Sequence, residues 1–154
     1  MTYLSRLRLL LIYWLPVLVM MGIISYSSTD QFSSEHTQGA LERLLHWLIP
    51  GLTEQTLLYT NLVIRKLSHF FAYALLALLL FRAFRADSPM RWRSAWAAYS
   101  LAVCIAWAML DELHQAFTYT RHSALGDVLL DSVGGLSMLI ILGLHYRKAT
   151  SSTC

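Results

Sequence analysis

RKLSHFFAYALLALLLF, residues 65 to 81, is an apolar run that opens on two cations and a histidine. From Phe70 to Phe81 it carries no charge, but a helix needs roughly 20 apolar residues to cross hydrocarbon. To span, this segment must borrow its polar flank, so the predicted span covers 67–84 with His69 inside it. Ionisable groups cost roughly 2.5–3.5 kcal/mol at mid-bilayer on insertion scales and are kept there for pairing or function. Partners for Lys66 and His69 therefore have to come from elsewhere in the chain.

The rest of the sequence is written for the same solvent. Its residues are 56% hydrophobic and 14% charged, with mean hydropathy +0.50, against roughly 45–50% apolar and 25% charged in a soluble domain. Leu9 to Thr29 and Ser94 to Leu110 are uncharged runs of spanning length, and Leu125 to Tyr146 completes a fourth once it takes in Asp127 and Asp131. The expectation is an all-α polytopic membrane protein, one domain over 1–154, with spans at about 9–27, 67–84, 94–115 and 125–146. A cleaved signal peptide is the rival reading of the N-terminus, since Arg6 and Arg8 precede an apolar run ending in Ser25-Tyr26-Ser27-Ser28. That run exceeds the usual 7–15-residue signal core, which favours a retained helix. The net charge of +3 is too small and scattered for a nucleic-acid partner. Cys104 and Cys154 have neither disulfide nor metal-site spacing, and Cys104 reads as a small buried hydrophobe.

Lys and Arg near the span ends set orientation. Arg6, Arg8, Arg82, Arg85, Arg91, Arg93, Arg147 and Lys148 lie at the termini and second connection, whereas Arg43, Arg65, Lys66 and Arg121 lie in the first and third. Both termini are thus expected in the cytoplasm. In the first extracytoplasmic connection, Leu41, Leu44, Leu45 and Leu48 at helical spacing, with Trp47, predict an interfacial amphipathic helix ended by Pro50-Gly51. From Thr53 a further helical stretch can run directly into the second span.

Four alternating spans bring the end of the first, the start of the second, the end of the third and the start of the fourth to one side. Those ends hold Ser25, Ser27 and Ser28; Lys66, His69 and Tyr73; Asp111, Glu112, His114 and Gln115; and Asp127 and Asp131, with Arg121 in the connection. Lys66, His69 and Tyr73 fall at i, i+3 and i+7, Asp111 and Gln115 four apart, and Asp127 and Asp131 four apart, so each set forms a stripe on one helix face. Gly134-Gly135 and Ser137 let the fourth helix approach a neighbour closely and hold its aspartates inward.

Each residue also has a plain structural reading. Arg65 and Lys66 can snorkel toward head groups, and His69 can be a hydrogen-bonded interfacial histidine rather than an acid or base. Asp111 can be an ion-pair partner of Lys66 or Arg121, and Asp127 a charge stabilised at a helix N-terminus. Asp111 and Glu112 are adjacent and are not expected to point at one centre together; the spacing to Gln115 favours Asp111. Asp131, one turn deeper than Asp127, favours function. There is no HExxH-type ligand motif, and Lys66 and Arg121 can neutralise an anionic group themselves, so no metal is expected. Nor is there a GxGxxG, P-loop or nucleophile-elbow pattern, so no cofactor is expected.

Lys66-x-x-His69 with Tyr73, Asp111-Glu112-x-x-Gln115 followed by Arg121, and Asp127 with Gly134-Gly135 resemble the VanZ-like family of small bacterial membrane proteins, in order and over about residues 20 to 143. The serine-rich end of the first span is similar too, whereas the family often has Asn where this chain has Asp131. The resemblance implies four spans in a bacterial cytoplasmic membrane and a link to low-level teicoplanin resistance. The functional expectation is an outward-facing pocket for the phosphate-bearing head group of a lipid or lipid-linked wall precursor, because Lys66 and Arg121 carry the matching charge. In it His69 moves a proton, Asp111 or Glu112 orients His69, and Lys66, Tyr73, Gln115, Arg121, Asp127, Asp131 and Ser27 bind. Two rivals use the same residues: a non-enzymatic binding or shielding protein, and a small transporter or proton pathway through Asp127 and Asp131. The nearly apolar stretch from Leu136 to Leu144 gives the last little support.

Overall fold

The computed structural model describes residues 7–27, 47, 53–116 and 125–151, without the side chains of 115, 116 and 147–151. Its regular elements are helices: α1 (Leu7–Ser27), α2 (Glu54–Arg85), α3 (Ser94–Ala116) and α4 (Leu125–Ser151). All four are long and apolar enough to cross a membrane. The expected interfacial helix lies outside the described residues, apart from the exposed Trp47.

Proline shapes α1. Pro16 has no N–H and its ring would crowd the carbonyl of Ile12. The chain answers with a π-helical turn over Leu10–Trp14, closed by Leu15 N–H donating to the Leu10 carbonyl, before α-helix resumes. α1 packs into the bundle: Val17 and Ile24 are buried in the common core, and Tyr13 Oη donates to Asp87 at 2.6 Å.

α2 is the central helix, packed against all three others and most extensively against α4. The Thr53 side chain caps its first turn by accepting from Thr56 N–H, with Glu54 favourably placed at the positive end of the dipole. Its 32 residues measure about 48 Å, well beyond a hydrocarbon core of about 30 Å. With Arg82 and Arg85 at one boundary, about 20 residues reach the other, which brings Arg65 and Lys66 to the opposite boundary. The helix therefore extends past the predicted 67–84 without a break, and its charged residues fall where hydration is available.

α4 lies alongside α2 in parallel. Lys66 pairs with Asp127 and Arg85 with Tyr146, both at a separation of 61 residues, so one register holds along the whole contact. Glycine makes that contact close: a Cβ on Gly134 would collide with the Phe70 carbonyl oxygen and sit 3.1 Å from its carbon. Gly135 faces Cys104 of α3 and Ala77 of α2. Tyr73, Leu76, Ala77, Leu80 and Phe81 fill the centre with Cys104, Ala108 and Leu139. At the arginine end, Phe81 stacks on Trp92, Arg82 covers the Tyr13 ring and Arg85 covers Tyr146, an aromatic and cationic belt suited to an interface.

Gly134→Ala should lower the thermal stability of the detergent-solubilised protein by about 1–3 kcal/mol, the usual cost of overpacking, because its neighbour is backbone that cannot rotate away. Gly126→Ala, whose added Cβ meets nothing within 4 Å, should be neutral or slightly stabilising in the same melt.

Candidate functional site

The parallel register of α2 and α4 stacks two charge contacts. Nearest the mouth, Lys66 Nζ donates to Asp127 Oδ1 at 2.7 Å, and Arg65 Nη2 approaches Asp127 Oδ2 at 3.7 Å. One turn deeper, His69 Nδ1 lies 3.6 Å from Asp131 Oδ2, an ion-pair approach slightly too long for a hydrogen bond. Tyr73, one further turn along α2, is completely buried. The spacing that made a stripe in the sequence thus becomes a descent from half-exposed to buried polar groups.

α3 closes the third side. Arg65, Lys66, His69, Asp111, Glu112, Asp127 and Asp131 line one cavity with Leu130, and its volume of about 10 Å³ is room for about one water molecule. Asp111 is buried and Glu112 partly so. Both acids reach the cavity, contrary to the expectation that only one would. They differ by about 100° around the helix, a gap a long glutamate side chain can bridge from the flank. Among the described residues, four carboxylates and two fixed cations line the cavity, with His69 beside them.

The sequence reading assigned the orientation of His69 to Asp111 or Glu112, and the structure puts Asp131 beside it. Arg65, read as snorkelling, lines the cavity next to Asp127. Adjacency to Lys66 was the available signal for it, since neighbouring residues flank a shared face. Ser27 donates its hydroxyl to the Ile24 carbonyl of its own helix at 2.8 Å and is not one of the residues lining this cavity. Gln115 contributes helix but no described side chain, and Arg121 lies outside the described residues.

Several buried polar atoms here have no hydrogen-bond partner among the described residues: Asp131 Oδ1, Tyr73 Oη and Trp107 Nε1. Burying such atoms unpaired costs about 1–3 kcal/mol each. They mark places where an incoming donor or acceptor would be held strongly. Among the described residues, no three His, Cys, Asp or Glu are grouped so as to hold a metal ion.

A family model described as VanZ/LLP1 matches residues 11–146, which covers most of all four helices and every group of the cavity. No curated protein and no solved structure matches the chain.

The two charge layers should respond differently to substitution. Asp127→Asn breaks an exposed pair and should cost less than about 1 kcal/mol in chemical denaturation. His69→Ala leaves the buried Asp131 without its imidazole neighbour and should cost about 1–3 kcal/mol, part of which Asp131→Asn in the same chain should restore.

Proposed function

Since the chain belongs to the VanZ/LLP1 family, we propose that it is a bacterial cell-envelope protein that binds, at the α2–α3–α4 cluster, the phosphate-bearing head group of a membrane lipid or lipid-linked wall precursor. The observation that carries this reading is the convergence of Lys66, His69, Asp111, Glu112, Asp127 and Asp131 on one cavity at one end of a four-span bundle.

The outer pair is the exchangeable part. Lys66 and Arg65 are about half exposed and share a single partner, Asp127. An arriving phosphate offers them more negative oxygens than that carboxylate does, and charge-assisted bonds of this kind are the stronger ones. The inner pair is the chemical part. His69 carries the side chain that can both donate and accept a proton, and Asp131 lies against its Nδ1. Arg121 and Gln115 extend the binding set, and Tyr73 offers a hydroxyl from below. Altered head groups or precursor display on the outer leaflet would account for the teicoplanin resistance that names the family.

The cluster faces outward in this reading, with both termini and the arginine-rich second connection in the cytoplasm. The same cluster serves a binding or shielding protein if no bond is broken. Lys66→Arg separates the two: binding tolerates the exchange of one cation for another, whereas a reaction needing a point charge does not.

Lys66→Ala should weaken binding of a short-chain phospholipid to the purified protein about tenfold, the loss of one charge-assisted contact. In cells, Lys66→Ala and His69→Ala should each shift envelope lipid composition and teicoplanin sensitivity; unchanged values at normal protein level sink the reading. For orientation, Cys154 in a Cys104→Ala background should react with an impermeant maleimide only after the membrane is permeabilised.

A further inference from the structure

A cavity of about 10 Å³ has no room for a head group, so a ligand that engages the cluster must place its bulk elsewhere. Between α1 and α3 lies a cleft of about 370 Å³, lined by Ser25, Tyr26, Trp107, Leu110, Asp111 and His114. Asp111 belongs to both spaces and forms the wall between them. The comparable groove of about 330 Å³ between α3 and α4 is lined by Trp92, Leu101, Gly143 and other apolar neighbours and includes no residue of the cluster. Size and adjacency together single out the α1–α3 cleft.

We propose that this cleft receives the ammonium-bearing part of a zwitterionic phospholipid head group, with Asp111 as its counter-charge and the phosphate directed toward Lys66 and Arg65. The inference rests on the head-group reading above and adds the chemical class of the ligand.

Charge is the first argument. Among the described residues the cleft lining has one carboxylate and neither Lys nor Arg, while Arg65 and Lys66 line the polar cavity on the other side of Asp111. Among the described residues, four carboxylates and two fixed cations line that cavity. A purely anionic head group has no cation to set against the cleft's carboxylate; one that also carries an ammonium has. Chemistry of the walls is the second. Tyr26 and Trp107 are aromatic, and aromatic faces attract ammonium groups, most strongly when water is excluded. Trp107 stands one helical turn from Asp111 and shares its face. Its indole Nε1 is a buried donor with no partner among the described residues, which suits an ester or phosphate oxygen of the same ligand. Cation attraction and a waiting donor therefore sit on one wall, as a zwitterion requires.

The test is equilibrium binding of dihexanoyl phosphatidylethanolamine and dihexanoyl phosphatidylglycerol to the full chain in detergent. The ethanolamine lipid should bind about tenfold more tightly, the worth of one charge-assisted contact. Asp111→Asn should reduce the two affinities to near equality, and Tyr26→Leu, on an exposed wall where folding is not at stake, should reduce the preference several-fold. Lys66→Ala should weaken both lipids alike and keep the preference. Equal affinities in the unaltered protein, or a preference that survives both Asp111→Asn and Tyr26→Leu, overturn the cleft assignment and leave the head-group reading standing. A preference that persists while Lys66→Ala weakens neither lipid supports the cleft and removes Lys66 from the phosphate site. Binding of neither lipid overturns both.

Discussion

The contact of Gly134 with the Phe70 carbonyl is the constraint from which the rest of the arrangement follows. Within lipid, helices gain little from burying apolar surface against one another, because the acyl chains are equally apolar; close packing and polar contacts decide how they associate. A side chain at 134 would hold α4 away from α2. With hydrogen there instead, the two backbones meet, and the turn of α4 preceding the glycine delivers Asp131 to His69. The same register carries Asp127 to Lys66 at one end and Tyr146 to Arg85 at the other. Gly135 extends the seam to Cys104 of α3, so the helix that supplies Asp111 and Glu112 closes on the same line.

Much of this could be read from composition and spacing, because both report what the solvent demands. Four apolar runs declared four helices, and alternation across a bilayer sent the polar ends to one side whatever the orientation. Helical periodicity then collected Lys66, His69 and Tyr73 into one stripe and Asp127 and Asp131 into another. Spacing within a helix says nothing of the axial offset between helices, however. That offset is set by Gly134 on Phe70, and it chose Asp131 as the neighbour of His69 where the sequence favoured Asp111 or Glu112. Side-chain length was the other missing quantity: Glu112 reaches a cavity from a flank that helical geometry alone assigns to the outside. The π turn of α1 did have a signal, Pro16, though a proline inside a helix announces a local fault without specifying its form.

The two charge layers stand in different solvents and have different consequences. Lys66 and Asp127 remain accessible, so water and salt compete for them and their pairing is cheap to exchange. Asp131 is buried and His69 only partly exposed, so separating them leaves a buried acid with little to replace its partner. A ligand can therefore displace the first layer while the second stays in place to meet it. Beneath both, Leu76, Ala77, Leu80 and Phe81 of α2 are buried together with Leu139. This apolar floor favours access from one face over a path through the bundle, and it weakens the transporter reading for a single copy of the chain.

One-sided access also explains why a single acid should border two spaces. A pocket large enough for an entire head group, placed among these carboxylates and cations, would admit water and dissipate the attraction between them. Keeping the polar cavity to about 10 Å³ preserves those interactions, but it leaves the bulk of any ligand to be accommodated beside it. Asp111 resolves the conflict by its position: buried, shared between the cavity and the α1–α3 cleft, it exerts its charge on both without joining them into one open void. α1 thereby acquires a role beyond anchoring, since its Ser25 and Tyr26 form the opposite wall of the cleft.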